Sequence, residues 1–155
     1  MEKVFEIYIR TTPERLWQAI IDPDIRAKYN FGARVSSDYT PGARYEMSAT
    51  ARDGSPMPLG EGEILEVDPP RRLVQSMQAL WSDEVKREGI SRVTWEIEPV
   101  SDDSCRLLVV HDHLLEGAND ELYGGWPMIL SGLKTWLETG ELLTTPGSLR
   151  YGSGS

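Results

Sequence analysis

The sequence predicts an α+β domain in which a curved antiparallel sheet of about seven strands wraps around one long C-terminal helix. Three observations support this prediction. Apolar and polar residues alternate between closely spaced turn signals, a helical period follows the first strand, and an apolar stripe at helical spacing lies near the C-terminus. Because one amphipathic helix must bury its stripe against the concave face of the sheet, we expect a cavity between them.

The first 30 residues predict one strand and two short helices. A strand with one buried face is indicated by apolar residues that alternate with polar ones at Phe5, Ile7 and Ile9. The next four residues, Thr11-Thr12-Pro13-Glu14, offer a threonine cap, a proline in the first helical turn and a carboxylate three residues after Thr11. The Asp22-Pro23 pair interrupts this helix, and the pattern favours a second short helix over 24–29.

The middle of the chain predicts an antiparallel meander. Turn-forming pairs rich in Pro, Gly and Asp recur at short intervals and separate six alternating segments. These segments are 33–38, 43–52, 60–67, 73–81, 91–98 and 105–114. With the first strand they give seven strands, each with one apolar and one polar face.

The last predicted element is the long helix. Pro127 suits its first turn, where a missing N–H costs nothing, and Gly140 suits its end. The apolar stripe between them comprises Ile129, Leu130, Leu133, Trp136 and Leu137. We expect one domain over residues 1–143, followed by a flexible tail over 144–155 whose Gly-Ser repeat is typical of an added linker.

Composition excludes several classes of partner. The 25 acidic and 16 basic residues give a formal net charge of -9, which disfavours nucleic acids and anionic membrane surfaces. No window has the roughly 18 apolar residues of a membrane span, and the N-terminus lacks a secretory signal, so we expect a cytoplasmic protein. The lone Cys105 permits no internal disulfide and is expected to fill core space.

Several short motifs in this order resemble the SRPBCC superfamily, also called START-like, and within it the bacterial branch named for the activator of the heat-shock-protein-ninety ATPase. The resemblance covers about residues 3–143. It is carried by 12–20 (TPERLWQAI), Asp22-Pro23, 41–45 (PGARY), 62–73 (GEILEVDPPRRL), 93–97 (VTWEI), His111 and 125–137. It implies the helix-grip fold, with a ligand cavity between the sheet and the final helix.

Two positions depart from the pattern of these relatives. Tyr29-Asn30 stands where they often have two tryptophans, and His113 stands where they commonly have a small residue. Both changes make the expected cavity rim more polar.

The His111-Asp112-His113 sequence is the main candidate for chemistry. If the strand continues in register, both imidazoles share its inward face, with Cβ atoms roughly 7 Å apart. A metal site would need a third ligand from Glu61, Glu63 or Glu116, since the chain has only two histidines. A second interpretation is a general acid or base at the cavity wall. A third is purely structural: His111 is a partly buried strand residue satisfied by a hydrogen bond, and His113 lies at the strand end in water.

Apolar and aromatic side chains are the expected ligand contacts. One polar residue, Gln75, has the parity of an inward-facing strand position and is expected to bind a ligand carbonyl or hydroxyl. The predicted cavity wall comprises Tyr45, Met47, Gln75, Met77, Trp81, Trp95, Trp126, Leu130 and Leu133. The alternative is that these residues simply fill the core.

Three functions follow from these observations. The first is a carrier or sensor that binds a hydrophobic or aromatic small molecule. The second is a cofactor-independent enzyme, of cyclase, hydratase, hydrolase or condensing type, that uses His111 or His113 as general acid or base. The third is a co-chaperone that stimulates a chaperone ATPase. No phosphate loop, dinucleotide fingerprint or zinc-protease motif is present, so we expect no cofactor and no metal; homodimerisation stays open.

Overall fold

The computed structural model describes residues 1–148 and confirms the predicted helix-grip architecture. The strands of the described chain are β1 (Lys3–Ile9), β2 (Arg34–Ser37), β3 (Arg44–Thr50), β4 (Pro56–Asp68), β5 (Arg72–Ala79), β6 (Ile90–Ser101) and β7 (Ser104–Asp112). Its α-helices are α1 (Pro13–Ile21), α2 (Pro23–Tyr29), α3 (Asp83–Lys86) and α4 (Trp126–Thr139).

The seven strands form one antiparallel sheet with the order β1-β7-β6-β5-β4-β3-β2. Strands β2 to β7 follow one another as a meander, and β1 pairs with β7 to complete the sheet. The register shifts at Met47/Ser48, Ile64/Glu66 and Pro99/Ser101. Such irregularities bend a sheet locally, which helps its inner face to curve around the helices.

Of the two threonines that precede the first helix, Thr12 is the cap. Its side chain accepts a hydrogen bond from the backbone N–H of Arg15 at 3.3 Å. Pro13 explains why the cap is Thr12. A proline at the first helical position forces the preceding residue into extended backbone, which is the conformation of a cap residue.

Helix α4 buries one face and ends where the sequence predicts. Gly140 has a φ of 75° and occupies the left-handed conformation that closes many helices. The helix packs against α1, α2 and β1. Its buried side chains are Trp126, Ile129, Leu130, Leu133 and Leu137, so the predicted stripe is confirmed apart from the half-buried Trp136.

We call the fully packed part of the interior the closed half. It is defined by Ile9, Leu16, Ile20, Trp95, Leu107 and Leu133, each at most 1% exposed. Cys105 is also fully buried, as predicted. Strands β1, β6 and β7 and helices α1 and α4 supply these side chains, and this packing supports the rest of the fold.

Two short elements were absent from the sequence prediction. The predicted strand over 73–81 ends at Ala79, and Ser82 then caps α3 by accepting a hydrogen bond from the backbone N–H of Val85. A turn of 3₁₀ helix at Asp120–Leu122 precedes α4. The two elements contribute to one small hydrophobic cluster, α3 through Val85 and the 3₁₀ turn through Leu122.

The first residues of the predicted tail contact the rest of the domain. Pro146 and Gly147 line an interior cavity, and Ser148 is buried. The Ser148 hydroxyl donates to the carbonyl oxygens of Leu143 and Thr145, both at 2.7 Å. The rest of the predicted tail, 149–155, lies outside the described residues.

Candidate ligand-binding cavity

A cavity of about 500 Å³ lies between the inner face of the sheet and the start of α4. The sheet supplies one wall from β2 to β6, and Arg26 of α2 with the adjoining Asn30 lies in another part of the wall. The segment before α4 and residues 146–147 complete the lining, and the exposed Asp120 and Glu121 mark the mouth. The wall is predominantly apolar with a few polar groups, which is the usual composition of a small-molecule site.

Strand alternation explains which sheet residues line the cavity. Tyr45 and Met47 share a face of β3, and Gln75 and Met77 share a face of β5. Val93 on β6 pairs with Gln75 in register, so these five side chains form a continuous inner surface across the sheet.

A glycine allows Tyr45 to lie flat across the neighbouring strand. A Cβ at Gly62 would lie 2.1 Å from the Ser76 carbonyl oxygen and 2.7 Å from Cε1 of Tyr45. Without that atom, the Tyr45 hydroxyl donates to the Ser76 carbonyl at 2.6 Å. Burial raises the pKa of Tyr45 to about 12, so its hydroxyl stays protonated at neutral pH.

Six of the nine predicted contact residues lie in the wall: Tyr45, Met47, Gln75, Met77, Trp81 and Trp126. Their contact with a ligand stays a prediction. The other three, Trp95, Leu130 and Leu133, are buried in the core and are not among the residues that line the cavity. Alternation and helical period assign a residue to the inner side, but they do not separate packed space from open space.

His111 lies on the inner face of β7 beside Val93, yet it does not line the cavity. The indole Nε1–H of Trp126 donates to His111 Nδ1 at 3.2 Å, so Nδ1 is the acceptor. The ring proton is therefore on Nε2, which donates to the Ser91 hydroxyl at 2.8 Å. Burial lowers the pKa of His111 to about 4 and keeps the ring neutral at pH 7.

His113 does not share this inward face. Strand β7 ends at Asp112, and His113 has a φ of 59°, which breaks the alternation. The His113 side chain is exposed to solvent. Neither histidine is among the cavity residues of the described chain, and no group of three His, Cys, Asp or Glu side chains within residues 1–148 could hold a metal ion.

The sequence reasoning missed the most polar part of the wall, on α2. Arg26 is 5% exposed and Asn30 is 4% exposed, and both line the cavity. The Arg26 guanidinium lies 4.9 Å from the ring centroid of Trp95, and its Nη1 donates to the Ile20 carbonyl at 3.1 Å. Asn30 is one of the polar departures from the pattern of the related sequences, whereas no local sequence pattern indicates that Arg26 is buried.

Residues 10–138 match the family model for Activator of Hsp90 ATPase homolog 1-like proteins. No curated protein matches the chain. No helix within residues 1–148 is long and apolar enough to cross a membrane.

Solved structures share the fold at low sequence identity. A Mesorhizobium loti protein has 22% identity and a TM-score of 0.70, covering 92% of this chain and 100% of that one. An HSP90 activator from Plasmodium falciparum has 19% identity and a TM-score of 0.68, covering 88% and 96%. The Aha1 dimer from Colwellia psychrerythraea has 16% identity and a TM-score of 0.68, covering 91% and 98%. The chain belongs to the family of Activator of Hsp90 ATPase homolog 1-like proteins.

Proposed function

We propose that the protein binds a hydrophobic or aromatic small molecule between the sheet and α4, and acts as its carrier or sensor. The observation that carries this proposal is the cavity of about 500 Å³. Its volume falls within the roughly 300–1,000 Å³ of small-molecule sites. The side chains that define the closed half are fully buried, so the open space is confined to the other end of the interior.

The side chains of the wall suit an apolar ligand. Met47, Met77 and Met128 are flexible and polarisable, so they can adapt to ligands of different shape. Trp81 and Trp126 offer flat apolar surfaces. Both indoles would also report binding, because a ligand in contact with a tryptophan alters its fluorescence.

The test is titration with N-phenyl-1-naphthylamine, a neutral apolar dye whose emission rises in a dry environment. We expect saturable binding, together with quenching of tryptophan emission. Val93→Phe adds bulk to the cavity floor and is expected to weaken dye binding at least tenfold. Val100→Phe is the matched control, since Val100 lies on the same strand but is 49% exposed. Absence of saturable binding, or equal effects of the two variants, would contradict the proposal.

The comparisons favour a second candidate, a co-chaperone that stimulates a chaperone ATPase. Its support is the description of the matching family model and of the Plasmodium falciparum structure as an HSP90 activator. An ATPase assay with a purified Hsp90-type chaperone tests it, and a rate unchanged by excess protein would contradict it. The proposal of a histidine-dependent enzyme has less support, because His111 is buried and His113 is exposed away from the cavity.

Self-association is proposed only by analogy. One structural neighbour is described as a dimer, and at 16% identity it shares the fold alone. Light scattering during size-exclusion chromatography decides between a 17.4 kDa monomer and a homodimer.

A further inference from the structure

We infer that the ligand of the cavity carries an anionic group, a carboxylate or a chemically similar oxyanion, that pairs with the guanidinium of Arg26. This inference rests on the proposed function and specifies the ligand class. It depends on the position of Arg26, on the absence of a countercharge, and on the hydrogen-bonding state of its neighbours.

Arg26 brings a permanent positive charge into the interior. Its side chain is 5% exposed and lines the cavity, and a guanidinium does not lose its proton in a protein. Nη1 is used by the Ile20 carbonyl, whereas the buried Nε has no hydrogen-bond partner among the described residues. The guanidinium therefore has unused donors in a cavity wall.

No carboxylate neutralises this charge. Arg26 forms no ion pair with any residue of the described chain. Asp120 and Glu121 also line the cavity, but both are exposed at its mouth. Because a buried charge is costly unless it is paired, an anion brought by the ligand would complete the site.

The tyrosines near Arg26 cannot supply the negative charge. Arg26 acts to lower the pKa of Tyr29, Tyr39 and Tyr45, but burial outweighs it and raises the pKa of all three above the ordinary value. They are therefore neutral at pH 7. The hydroxyls of Tyr29 and Tyr45 already donate to backbone carbonyls.

The neighbouring amide also lacks a strong acceptor. Among residues 1–148, Nδ2 of Asn30 donates only to the Met47 thioether sulfur at 3.5 Å, and sulfur is a weak acceptor. An oxyanion near Arg26 and Asn30 would replace this contact with a charge-assisted hydrogen bond. The wall thus offers donors from α2 and apolar contacts from the sheet, which fits an apolar molecule with one acidic end.

The experiment compares matched acidic and neutral ligands by their displacement of N-phenyl-1-naphthylamine. The pair is 1-naphthylacetate and 1-naphthylacetamide, which share the aromatic part and differ in charge. Arg26→Gln is expected to weaken binding of the acetate at least tenfold while changing binding of the acetamide less than threefold. Arg26→Lys keeps the positive charge but removes the planar set of guanidinium donors. We expect it to lose only part of the preference for the acetate over the acetamide.

Arg44→Gln is the matched control. It removes one positive charge from an exposed arginine that pairs with Glu61, so it changes the net charge equally without touching the cavity. We expect it to leave both ligands unaffected. The inference would be overturned if a folded Arg26→Gln variant bound the acetate and the acetamide with the same ratio of affinities as the wild type. Saturable dye binding would still support the proposed function in that case.

Two further results separate the outcomes. If the wild type failed to bind the neutral dye, the proposed function itself would fail. If Arg26→Gln did not fold, the comparison would use the wild type and Arg26→Lys. A wild type that bound the acetate no more tightly than the acetamide, or an unchanged ratio of the two affinities in a folded Arg26→Lys variant, would overturn the inference.

Discussion

The interior between the sheet and α4 has two parts of opposite character. In the closed half, Leu16, Trp95 and Leu133 are fully buried members of one hydrophobic cluster. At the other end the same sheet and helix enclose about 500 Å³, bordered by polar groups such as Arg26 and Gln75. One end of this layer is therefore filled by apolar side chains, and the other holds the open space that we propose as the ligand site.

The division follows from how far the helices extend over the sheet. Helix α1 contacts β6, and α4 contacts β1, so the strands of the closed half are covered by apolar helix faces. The strands β3 to β5 face α2 and the first turn of α4 across the cavity. We therefore expect substitutions in the closed half to change stability and substitutions around the cavity to change binding.

The largest expected effect is on stability. Leu133→Ala removes a fully buried side chain and is expected to lower the free energy of unfolding by about 2–5 kcal/mol. Met128→Ala truncates a half-buried side chain on the same helix that borders the cavity, and we expect a cost below about 1 kcal/mol. Urea unfolding monitored by circular dichroism measures both. Equal costs would show that the two halves do not differ in packing.

A smaller effect concerns His111, which lies where the two halves meet. Its pKa is lowered to about 4 in the folded protein, against 6.5 for an exposed imidazole. The unfolded chain therefore binds a proton between pH 6.5 and 4 that the folded protein excludes. Stability is fully present above pH 6.5 and falls as the pH decreases through this window, by about 3 kcal/mol at most.

Two variants test the assignment of this pH dependence. His111→Gln has no titrating ring, so the difference in unfolding free energy between pH 7 and pH 4.5 should shrink. His113→Gln changes the exposed histidine and is the matched control. If both variants behaved alike, the burial of His111 would not be the cause.

The smallest expected effect concerns the mouth. Asp120→Asn combined with Glu121→Gln removes two exposed negative charges from the cavity entrance. We expect binding of 1-naphthylacetate to tighten about two- to fivefold at low ionic strength and the gain to vanish at high salt. Glu98→Gln with Asp102→Asn is the control, because both residues are exposed at the far end of β6. An equal gain in the control would indicate net charge rather than a local effect.

The sequence alone determined the secondary structure and much of the cavity wall. Period-two segments predicted all seven strands, and parity alone selected Tyr45, Met47, Gln75 and Met77 as inward-facing. The helix of residues 126–139 followed from its apolar stripe and Gly140. These features are readable because backbone geometry repeats every two or 3.6 residues, and neighbours in sequence carry the signal.

Only the tertiary structure decided which inward residues meet open space. Trp95 and Leu133 face inward like Val93, yet they are packed because other elements cover them. A single positive φ at His113 separated it from His111, and the burial of Arg26 depends on Trp95 from a distant strand. Cavities and unpaired charges arise from contacts between residues far apart in sequence, and no local period encodes those contacts.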